Sequence, residues 1–373
     1  MTQPDSHNSV SWETTACPLC GEVRSTPIVR ASDLLYRVPG EFTVVRCDAC
    51  RHVFLNPRPT RDCIGQFYPT DYGPFRGGEI ASCKLQIANC KLPGGREQRS
   101  VFDPRSWPWL RRLVLWWIDS RAAPIPKVHP PRRIKSENSD FRSQIPQRAL
   151  ELGCSHGAFL VQLREQGWES VGIEPAAEVA SRAAERGFDV RVGSLESVVS
   201  ADPQTFAPSS FDAVFAWMVI EHLHDPVATL RLVRDLLKPG GTLSFSVPNF
   251  GCWERRSCGQ FWYALQLPTH LQHFTSASLR RLLEISGFEL VELIHQRNVN
   301  NLVGSSGLWL RTTFPRWSLG ERLIRWTDNP SALGLCLLAP VARVLALVRQ
   351  SGRLTVVARR SEDGPPLADC PSQ

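Results

Sequence analysis

The chain has 373 residues, 42% hydrophobic and 21% charged, a composition typical of a soluble globular protein with room for more than one domain. Its N-terminus has neither a basic start nor an apolar run, which argues against a secretory signal and predicts a cytoplasmic protein. In that reducing setting the 12 cysteines favour metal binding over disulfides. The net charge of +7 arises in one segment, because residues 76–148 carry 15 Lys and Arg against 6 Asp and Glu.

Two Cys-x-x-Cys pairs, separated by 26 residues, lie near the N-terminus: Cys17 and Cys20, then Cys47 and Cys50. Each short spacing lets one turn supply two thiolates, and four thiolates are the ligand set of a closed, structural Zn²⁺ site. We therefore predict a zinc-ribbon-like module over residues 1–75, in which the metal supports folding. His52 could replace one ligand, although a bystander role is favoured, and the aromatic, proline-rich stretch 53–72 could touch a substrate.

Residues 76–147 are predicted to form a basic linker or insertion that contains one helix. Ser106–Ile118 places tryptophans and leucines on one face at helical spacing. The prolines and polar residues that follow are typical of a linker. The basic surplus could bind nucleic acid or anionic lipid, but a solvated linker is the favoured interpretation.

From residue 148 onward, strand-like and helix-like stretches alternate, which predicts an α/β fold with a parallel, doubly wound sheet. Two later strands without a helical crossover are expected to pair antiparallel at one edge of that sheet. The predicted domain covers 148–361, with a helical insertion at 297–352 and a tail at 362–373. The predicted strands are Ala149–Leu152, Glu169–Glu174, Phe188–Val192, Phe211–Ala216, Thr242–Val247, Phe288–His295 and Leu354–Arg359.

A glycine turn follows the first of these strands, with the spacing Glu151-x-Gly153-x-x-x-Gly157. It lacks the Gly-x-Gly-x-x-Gly turn of a pyrophosphate site, so a nucleoside without phosphates is the favoured ligand. Glu174 ends the second strand, where an acidic side chain can accept both ribose hydroxyls. The remaining predicted cofactor contacts are Cys154 in the turn, Ser194 and Leu195 after the third strand, and Trp217 after the fourth.

A family resemblance rests on five motifs: ALELGCSHGAFL, VGIEP, FDAVFAWMVIEHLHDP, LLKPGGTLSFSVPN and HLQHFTSASLRRLLEISGF. Together they resemble class I S-adenosylmethionine-dependent methyltransferases over roughly residues 148–295. The resemblance implies a seven-stranded Rossmann-like sheet and S-adenosylmethionine as the cofactor. The cysteine pairs with FLNPRPT and YPTDY resemble the zinc module that precedes this core in sugar C-methyltransferases.

Histidines near the mouth of the predicted cleft are candidate general bases, since histidine titrates near neutrality. His270 is the first choice, although LPTH replaces the Tyr-x-Glu-His stretch of the sugar C-methyltransferases. Glu221 and His222 follow the fourth strand and are the other catalytic candidates. Some small-RNA ribose methyltransferases hold a metal with Glu-x-x-Glu-His and a later histidine, but Met218 stands at the first of those positions. A metal site, a base and a cleft-wall role for Glu221 and His222 therefore stay open.

The acceptor side is predicted from aromatic residues and from the insertion. Aromatic faces after the fifth strand suit a sugar or another flat acceptor, although a packed hydrophobic wall explains them almost as well. The apolar stretch 332–348 is shorter than the roughly 20 residues that cross a bilayer, so it predicts a buried or interfacial helix pair, with peripheral membrane contact as a hypothesis. The acceptor candidates are Asn249, Trp253, Phe261, Trp262 and Tyr263.

The sequence thus predicts an enzyme that transfers a methyl group from S-adenosylmethionine to a small-molecule or carbohydrate-like acceptor, which could be lipid-linked. A zinc-ribbon RNA methyltransferase is the first alternative, disfavoured because no dense basic and aromatic face surrounds Cys17–Cys50. Nucleic acid is accordingly not an expected partner. A cofactor-binding scaffold without catalysis is the second alternative.

Overall fold

The computed structural model describes residues 10–69, 72 and 147–361. The predicted helix Ser106–Ile118, nearly all of the basic segment and nearly all of the C-terminal tail lie outside the described residues.

The N-terminal part forms two small sheets whose strands are joined by the cysteine-bearing turns. β1 and β5 pair antiparallel, and β2, β3 and β4 form a second antiparallel sheet. A short 3₁₀ helix, Ile64–Phe67, follows. The strands are β1 (Trp12–Glu13), β2 (Ser25–Ala31), β3 (Phe42–Cys47), β4 (Val53–Leu55) and β5 (Arg58–Pro59).

The larger sheet has seven strands in the order β12-β13-β10-β9-β6-β7-β8, which confirms the predicted α/β fold with a mostly parallel sheet. β13 pairs antiparallel with both β10 and β12, so the predicted antiparallel pair lies at one edge. These strands are β6 (Arg148–Leu152), β7 (Glu169–Glu174), β8 (Asp189–Val192), β9 (Phe211–Trp217), β10 (Leu237–Pro248), β12 (Phe288–His295) and β13 (Arg353–Arg360).

β11 (Gln272–His273) is a short strand of the C-terminal part that joins the N-terminal sheet. It pairs antiparallel with β4, so that Gln272 lies opposite Phe54 and His273 lies opposite Val53. The four-stranded sheet β11-β4-β3-β2 is therefore built from both ends of the chain. No local pattern in the sequence indicates this pairing.

Helices cover the large sheet, and their ends follow local rules. One of these helices begins at Pro226, because the Asp225 carboxylate accepts the Ala228 amide at 2.9 Å and proline fits the first helical position. The helices are α1 (Ala158–Glu165), α2 (Ala177–Glu185), α3 (Leu195–Ala201), α4 (Pro226–Leu236), α5 (Trp253–Cys258), α6 (Ser276–Ile285), α7 (Asn300–Thr313), α8 (Leu319–Asp328) and α9 (Ala332–Leu347).

Lys238-Pro-Gly-Gly241 follows α4 and belongs to the next strand. The strand β10 already begins at Leu237, and its register against β9 shifts between Leu237 and Thr242. Gly241 sits there because an added Cβ would lie 2.8 Å from the Lys238 carbonyl oxygen. The segment therefore forms an irregular strand start, which keeps the later residues of β10 in register.

The core lies on both faces of the large sheet, so its central strands are apolar throughout. Leu150, Val214, Phe245 and Val356, on four adjacent strands, are fully buried. Each Å² of buried apolar surface contributes about 25 cal/mol. This core therefore fixes the carboxyl ends of the parallel strands, where the glycine turn lies.

The predicted helical insertion consists of α7, α8 and α9. Gly307 and Gly320 allow α7 and α8 to touch, since an added Cβ on either would lie within 2.9 Å of the other's carbonyl oxygen. Pro340 lies inside α9 without ending it. Across the described ranges, no single helix is long and apolar enough to cross a bilayer. Taken together, α8 and residues 333–347 of α9 reach that length and hydropathy, but the pair is bent by 83°.

Candidate active site

The glycine turn lies at the carboxyl end of β6, as predicted. Gly153 has a φ of +65° and donates its amide to the Ile173 carbonyl oxygen at 2.8 Å. An added Cβ there would lie 2.5 Å from Cγ2 of Val219. Gly157 caps α1 with a φ of +80°. Both positions need glycine, and they keep the backbone of the turn close to the cleft.

Glu174 is fixed against this turn at the end of β7. Its Oε2 accepts the Ser155 amide at 2.9 Å, and its Oε1 accepts the Ala176 amide at 3.0 Å. Burial raises the pKa of Glu174, while the two amides act in the opposite direction. Because a carboxylate has about four acceptor positions, it can also accept two ligand hydroxyls from this position.

Two buried polar atoms beside the turn lack a hydrogen-bond partner among the described residues. One is Oε2 of Glu151, whose pKa is raised well above its usual value by burial and then by the charge of Glu174. The other is Nε1 of Trp217, whose ring lies edge-on to Phe159 at 5.2 Å. Since buried polar groups are normally paired, these atoms fit a site that takes a polar ligand such as a nucleoside with an amino acid portion.

The other predicted cofactor contacts are less directly placed. The Cys154 thiol packs into the core, where an added Cβ on Gly172 would lie 2.6 Å from its sulfur, so only the Cys154 backbone can face the cleft. Ser194 is exposed, and its hydroxyl caps α3 by accepting the Ser197 amide. Leu195 is 5% exposed within the core.

Glu221, His222 and His270 form one compact cluster at the mouth of the cleft. One ligand-type atom of each lies within 4.8 Å of the others, and the two imidazole rings meet edge-on with centroids 4.7 Å apart. Nδ1 of His222 lies 2.9 Å from the Thr269 carbonyl oxygen, and Nδ1 of His270 lies 2.9 Å from that of Ala264. A carbonyl oxygen only accepts, so each Nδ1 carries the proton and each Nε2 keeps its lone pair.

Burial sets the protonation of this cluster. It lowers the pKa of His222 to about 4 and, with the charges of His222 and His273, holds the pKa of His270 well below its usual value. Burial also raises the pKa of Glu221 to about 8, and both carboxyl oxygens lack a hydrogen-bond partner among the described residues. The cluster therefore presents two neutral imidazoles beside a fully buried carboxyl group, a set suited to accepting a proton or holding a cation.

Residues of the N-terminal part reach the same cluster. The Tyr68 hydroxyl lies 2.9 Å from Nδ1 of His222, and its ring meets that of Tyr72 edge-on at 5.1 Å. Tyr36 lies 5.6 Å from Tyr72, and the charge of Glu221 helps burial to raise the pKa of Tyr72. A contact between stretch 53–72 and a substrate stays a prediction, and Tyr68 of that stretch reaches His222. Tyr36 was missed, because nothing local marks it.

Arg353 on β13 is a further residue that the motifs did not indicate. Burial lowers its pKa, and the charge of Glu221 acts in the opposite direction. Its Nε has no partner among the described residues. The charge of Arg353 in turn acts to lower the pKa of Glu221, against the larger effect of burial.

Other candidates lie elsewhere. His273 packs against Phe250 at 5.3 Å and is outside the cluster. Trp262 is 1% exposed in a hydrophobic core, which agrees with the packed-wall alternative, whereas Trp253 is 51% exposed and its contact with an acceptor stays a prediction. Asn249 donates to the Ser351 carbonyl oxygen at 2.9 Å, which ties β10 to the insertion.

Four thiols gather at the N-terminal turns, as the spacing predicted. Cys17 and Cys50 have their sulfurs 3.5 Å apart, as do Cys20 and Cys47. Tetrahedral zinc with Zn–S bonds near 2.3 Å requires sulfurs about 3.8 Å apart, so these residues could hold a metal. His52 instead donates to Oε1 of Gln272 at 2.9 Å, which fits the bystander role.

The family model described as a methyltransferase domain matches residues 104–293, just over half of the chain. The chain belongs to this methyltransferase family. The class I S-adenosylmethionine-dependent methyltransferase family predicted from the motifs is thereby confirmed, whereas the likeness to sugar C-methyltransferases stays a prediction.

Relatives of this methyltransferase include ubiquinone biosynthesis O-methyltransferases. That of Xanthomonas campestris is 32% identical over 144 residues, 36% of this chain and 56% of the relative. That of Cereibacter sphaeroides is 25% identical over 246 residues, 61% of this chain and 94% of the relative. The methyltransferase thus spans just over half the length of the first of these relatives. An S-adenosylmethionine-dependent methyltransferase from Mesorhizobium loti is 19% identical, with a TM-score of 0.36 over 59% of this chain and 95% of that one.

Proposed function

We propose that the protein transfers a methyl group from S-adenosylmethionine to an oxygen of a small-molecule acceptor. The observation that carries the proposal is the cluster of His222 and His270 with buried Glu221, in which each histidine uses Nδ1 on a backbone carbonyl and keeps Nε2 as an acceptor. The relatives named as ubiquinone biosynthesis O-methyltransferases support a hydroxyl acceptor.

The cofactor would be held by the residues around the glycine turn. Glu174 is placed to accept the ribose hydroxyls, and the unpartnered atoms of Glu151 and Trp217 would be satisfied by the methionine and nucleoside portions. S-adenosylmethionine supplies a methyl group that its sulfonium sulfur has already activated. The protein's own task is to orient the acceptor and remove its proton.

His270 is proposed as the base, with His222 as its neighbour. Its Nδ1 donates to the Ala264 carbonyl oxygen, so Nε2 is the atom that would take the acceptor proton. The imidazolium so formed would lie beside the Glu221 carboxyl, which can carry the compensating negative charge. Tyr68, hydrogen-bonded to His222, would hold that ring in place from the N-terminal part.

A divalent metal ion at Glu221, His222 and His270 is the second candidate role for this cluster. Metal-binding histidines usually donate their other ring N–H to a carbonyl or carboxylate, and both of these histidines donate to a backbone carbonyl. Metal analysis separates the two roles. A base role predicts the same metal content in wild type and His270→Gln, whereas a ligand role predicts the loss of about one equivalent.

The four tyrosines of the chain bear on the type of acceptor. Three of them come from the N-terminal part, where Tyr72 contacts both Tyr36 and Tyr68, and Tyr68 reaches His222 of the cluster. Aromatic faces suit a phenolic or quinol ring, and a carbohydrate-like ring is the second candidate, as the zinc-module resemblance implies. We further propose that Cys17, Cys20, Cys47 and Cys50 hold a structural Zn²⁺ that keeps these tyrosines in place.

The cofactor claim is tested by Glu174→Gln, with Glu169→Gln on the same strand as the matched control. Glutamine cannot accept both backbone amides and two hydroxyls, so we expect S-adenosylmethionine to bind at least about ten-fold more weakly in calorimetry. Glu169 makes only an exposed ion pair with Arg148, and its variant should bind normally. Unchanged binding in Glu174→Gln would reject the proposed cofactor site.

Turnover with candidate acceptors decides between the proposed function and its alternatives. Methyl transfer to a catechol, quinol or sugar hydroxyl, lost in His270→Gln, is the expected result. Transfer to RNA but not to small hydroxyl compounds would favour the RNA methyltransferase. Tight S-adenosylmethionine binding without transfer to any acceptor would favour the non-catalytic scaffold.

A further inference from the structure

A second concave site lies between the N-terminal sheet and the large domain. It is a cavity of about 340 Å³ that shares no lining residue with the cofactor turn or the Glu221 cluster. That volume lies at the low end of the range for small-molecule sites. One wall comes from β2–β4 and the turn after Cys50, and the other from the residues that follow β10.

Four arginines line this cavity, two from each wall. Arg46 and Arg51 belong to the N-terminal part, and Arg255 and Arg256 belong to α5. Asp and Glu are absent from the residues that line it. Within the part of the chain that the structure describes, none of the four guanidinium groups forms a salt bridge to a carboxylate.

Arg255 is the most constrained of the four arginines that line the cavity. Its guanidinium lies 4.6 Å from the centre of the Phe250 ring, and its Nε is buried without a partner among the described residues. Burial lowers the pKa of Arg255, the charge of Arg46 acts in the same direction, and both residues line the same cavity. Holding like charges together around a cavity is costly unless an anion lies between them.

We propose that this arginine-lined cavity, defined by Arg46, Arg51, Arg255 and Arg256, binds a small anion of the phosphate class, in particular a phosphate or diphosphate group. Planar guanidinium groups bind phosphate oxygens through paired N–H donors, which Arg provides and Lys does not. The cavity admits a group of that size but not a folded chain. The site goes beyond methyl transfer and does not depend on it.

Because the arginines come from both parts of the chain, the anion would also join them. It would neutralise the repulsion between Arg46 and Arg255 and so stabilise the contact between the N-terminal sheet and the large domain. Binding should therefore raise the unfolding temperature of the whole protein as well as appear in calorimetry.

The experiment uses the full-length protein with inorganic phosphate and with pyrophosphate, against sodium chloride at matched ionic strength. Saturable binding of pyrophosphate, with a rise in unfolding temperature beyond that in chloride, is the expected result. In Arg255→Gln the dissociation constant should rise roughly ten-fold or more, since a charge-assisted contact is lost. Arg316→Gln removes an exposed arginine outside the cavity and should bind as wild type does.

Arg51→Gln serves as the second variant, because Arg51 is exposed and its change does not disturb Phe250 packing. It too should weaken pyrophosphate binding while the unliganded unfolding temperature stays near that of wild type. Equal binding in Arg51→Gln, Arg255→Gln and Arg316→Gln, or an effect that chloride reproduces, would overturn the proposal. Binding of a short RNA oligomer without any effect of pyrophosphate would also overturn it and assign the arginines to a nucleic-acid surface.

Discussion

At the residue scale, the glycine turn depends on two different properties of Gly153. Its φ of +65° disfavours any side chain, and its added Cβ would collide with Val219 at 2.5 Å. Gly167 shares the first property, with a φ of +83°, but an added Cβ there meets nothing within 4 Å. Comparing substitutions at the two glycines therefore distinguishes the effect of backbone strain from the effect of the shape of the cleft.

We predict that Gly153→Ala weakens S-adenosylmethionine binding by roughly 10- to 100-fold, because the turn must move away from Val219. Gly167→Ala should cost about 1 kcal/mol of stability from the same backbone strain but leave cofactor affinity unchanged. Calorimetry and chemical denaturation measure the two effects. Equal affinity in both variants would show that the turn does not contact the cofactor.

Buried His273 predicts how the stability of the fold depends on pH. Burial, followed by the charges of Arg255 and His52, lowers the pKa of His273 to about 3, below the unfolded value near 6.5. The unfolded chain therefore binds a proton that the folded chain does not between those values, so this term destabilises the fold as pH falls below 6.5.

His273→Leu removes that term. The stability of wild type relative to the variant should fall by about 1.6 kcal/mol between pH 6.5 and pH 5, because the unfolded histidine is half protonated at pH 6.5 and the slope then approaches 1.36 kcal/mol per pH unit. Urea denaturation of both proteins at the two pH values measures it. A stability difference that does not change with pH would mean that His273 is protonated in the folded protein.

At the scale of elements, α9 carries an apolar face that the described residues do not cover. Leu333, Leu337 and Leu347 are 71%, 69% and 73% exposed, and Val341 and Val344 extend the same face. We propose that this face makes the peripheral membrane contact predicted from the apolar stretch. An amphipathic helix that lies in the membrane interface buries such a face among lipid headgroups.

Leu337→Glu should therefore weaken binding to anionic liposomes by roughly ten-fold or more, since burying one leucine contributes about 1.5–3 kcal/mol. The weaker binding is measured as a smaller fraction of protein that floats with the liposomes. Val23→Glu makes the same chemical change at a residue that is 75% exposed in the N-terminal part, and it should float as wild type does. A wild-type protein that stays below the liposomes would contradict the membrane proposal.

At the scale of the whole molecule, the N-terminal part and the large domain are joined by specific contacts. β11 pairs with β4, Arg58 donates to the His224 carbonyl oxygen at 2.7 Å, and Tyr68 reaches His222. The proposed zinc site would therefore stabilise strands on which the active-site cluster depends.

Removal of the metal should lower the unfolding temperature of the whole protein in one transition, by about 5 °C or more, and should also reduce methyl transfer. Cys20→Ser or a chelator supplies the change, and circular dichroism with a cofactor-binding assay measures it. Cys336→Ser alters an exposed cysteine far along the chain and should have no effect. Two separate transitions, with cofactor binding intact after the first, would show that the parts fold independently.

The sequence by itself determined the features that depend on local spacing. Alternating strands and helices, the turn from Glu151 to Gly157, the position of Glu174 and the gathering of four thiols all follow from periods of a few residues. Such patterns report which face of an element is buried and where the chain must turn. The start of β10 was missed, because an irregular strand has no such period.

Only the tertiary structure decided which distant elements meet. The pairing of β11 with β4, the approach of Tyr68 to His222 across 154 residues and the arginine-lined cavity depend on how two apolar surfaces pack. Trp262 shows the same limit, since its local sequence fits an acceptor contact and a packed core almost equally well, and only the fold decides between them. Contacts of this kind are selected by the burial of whole faces, a property that no short stretch of sequence contains.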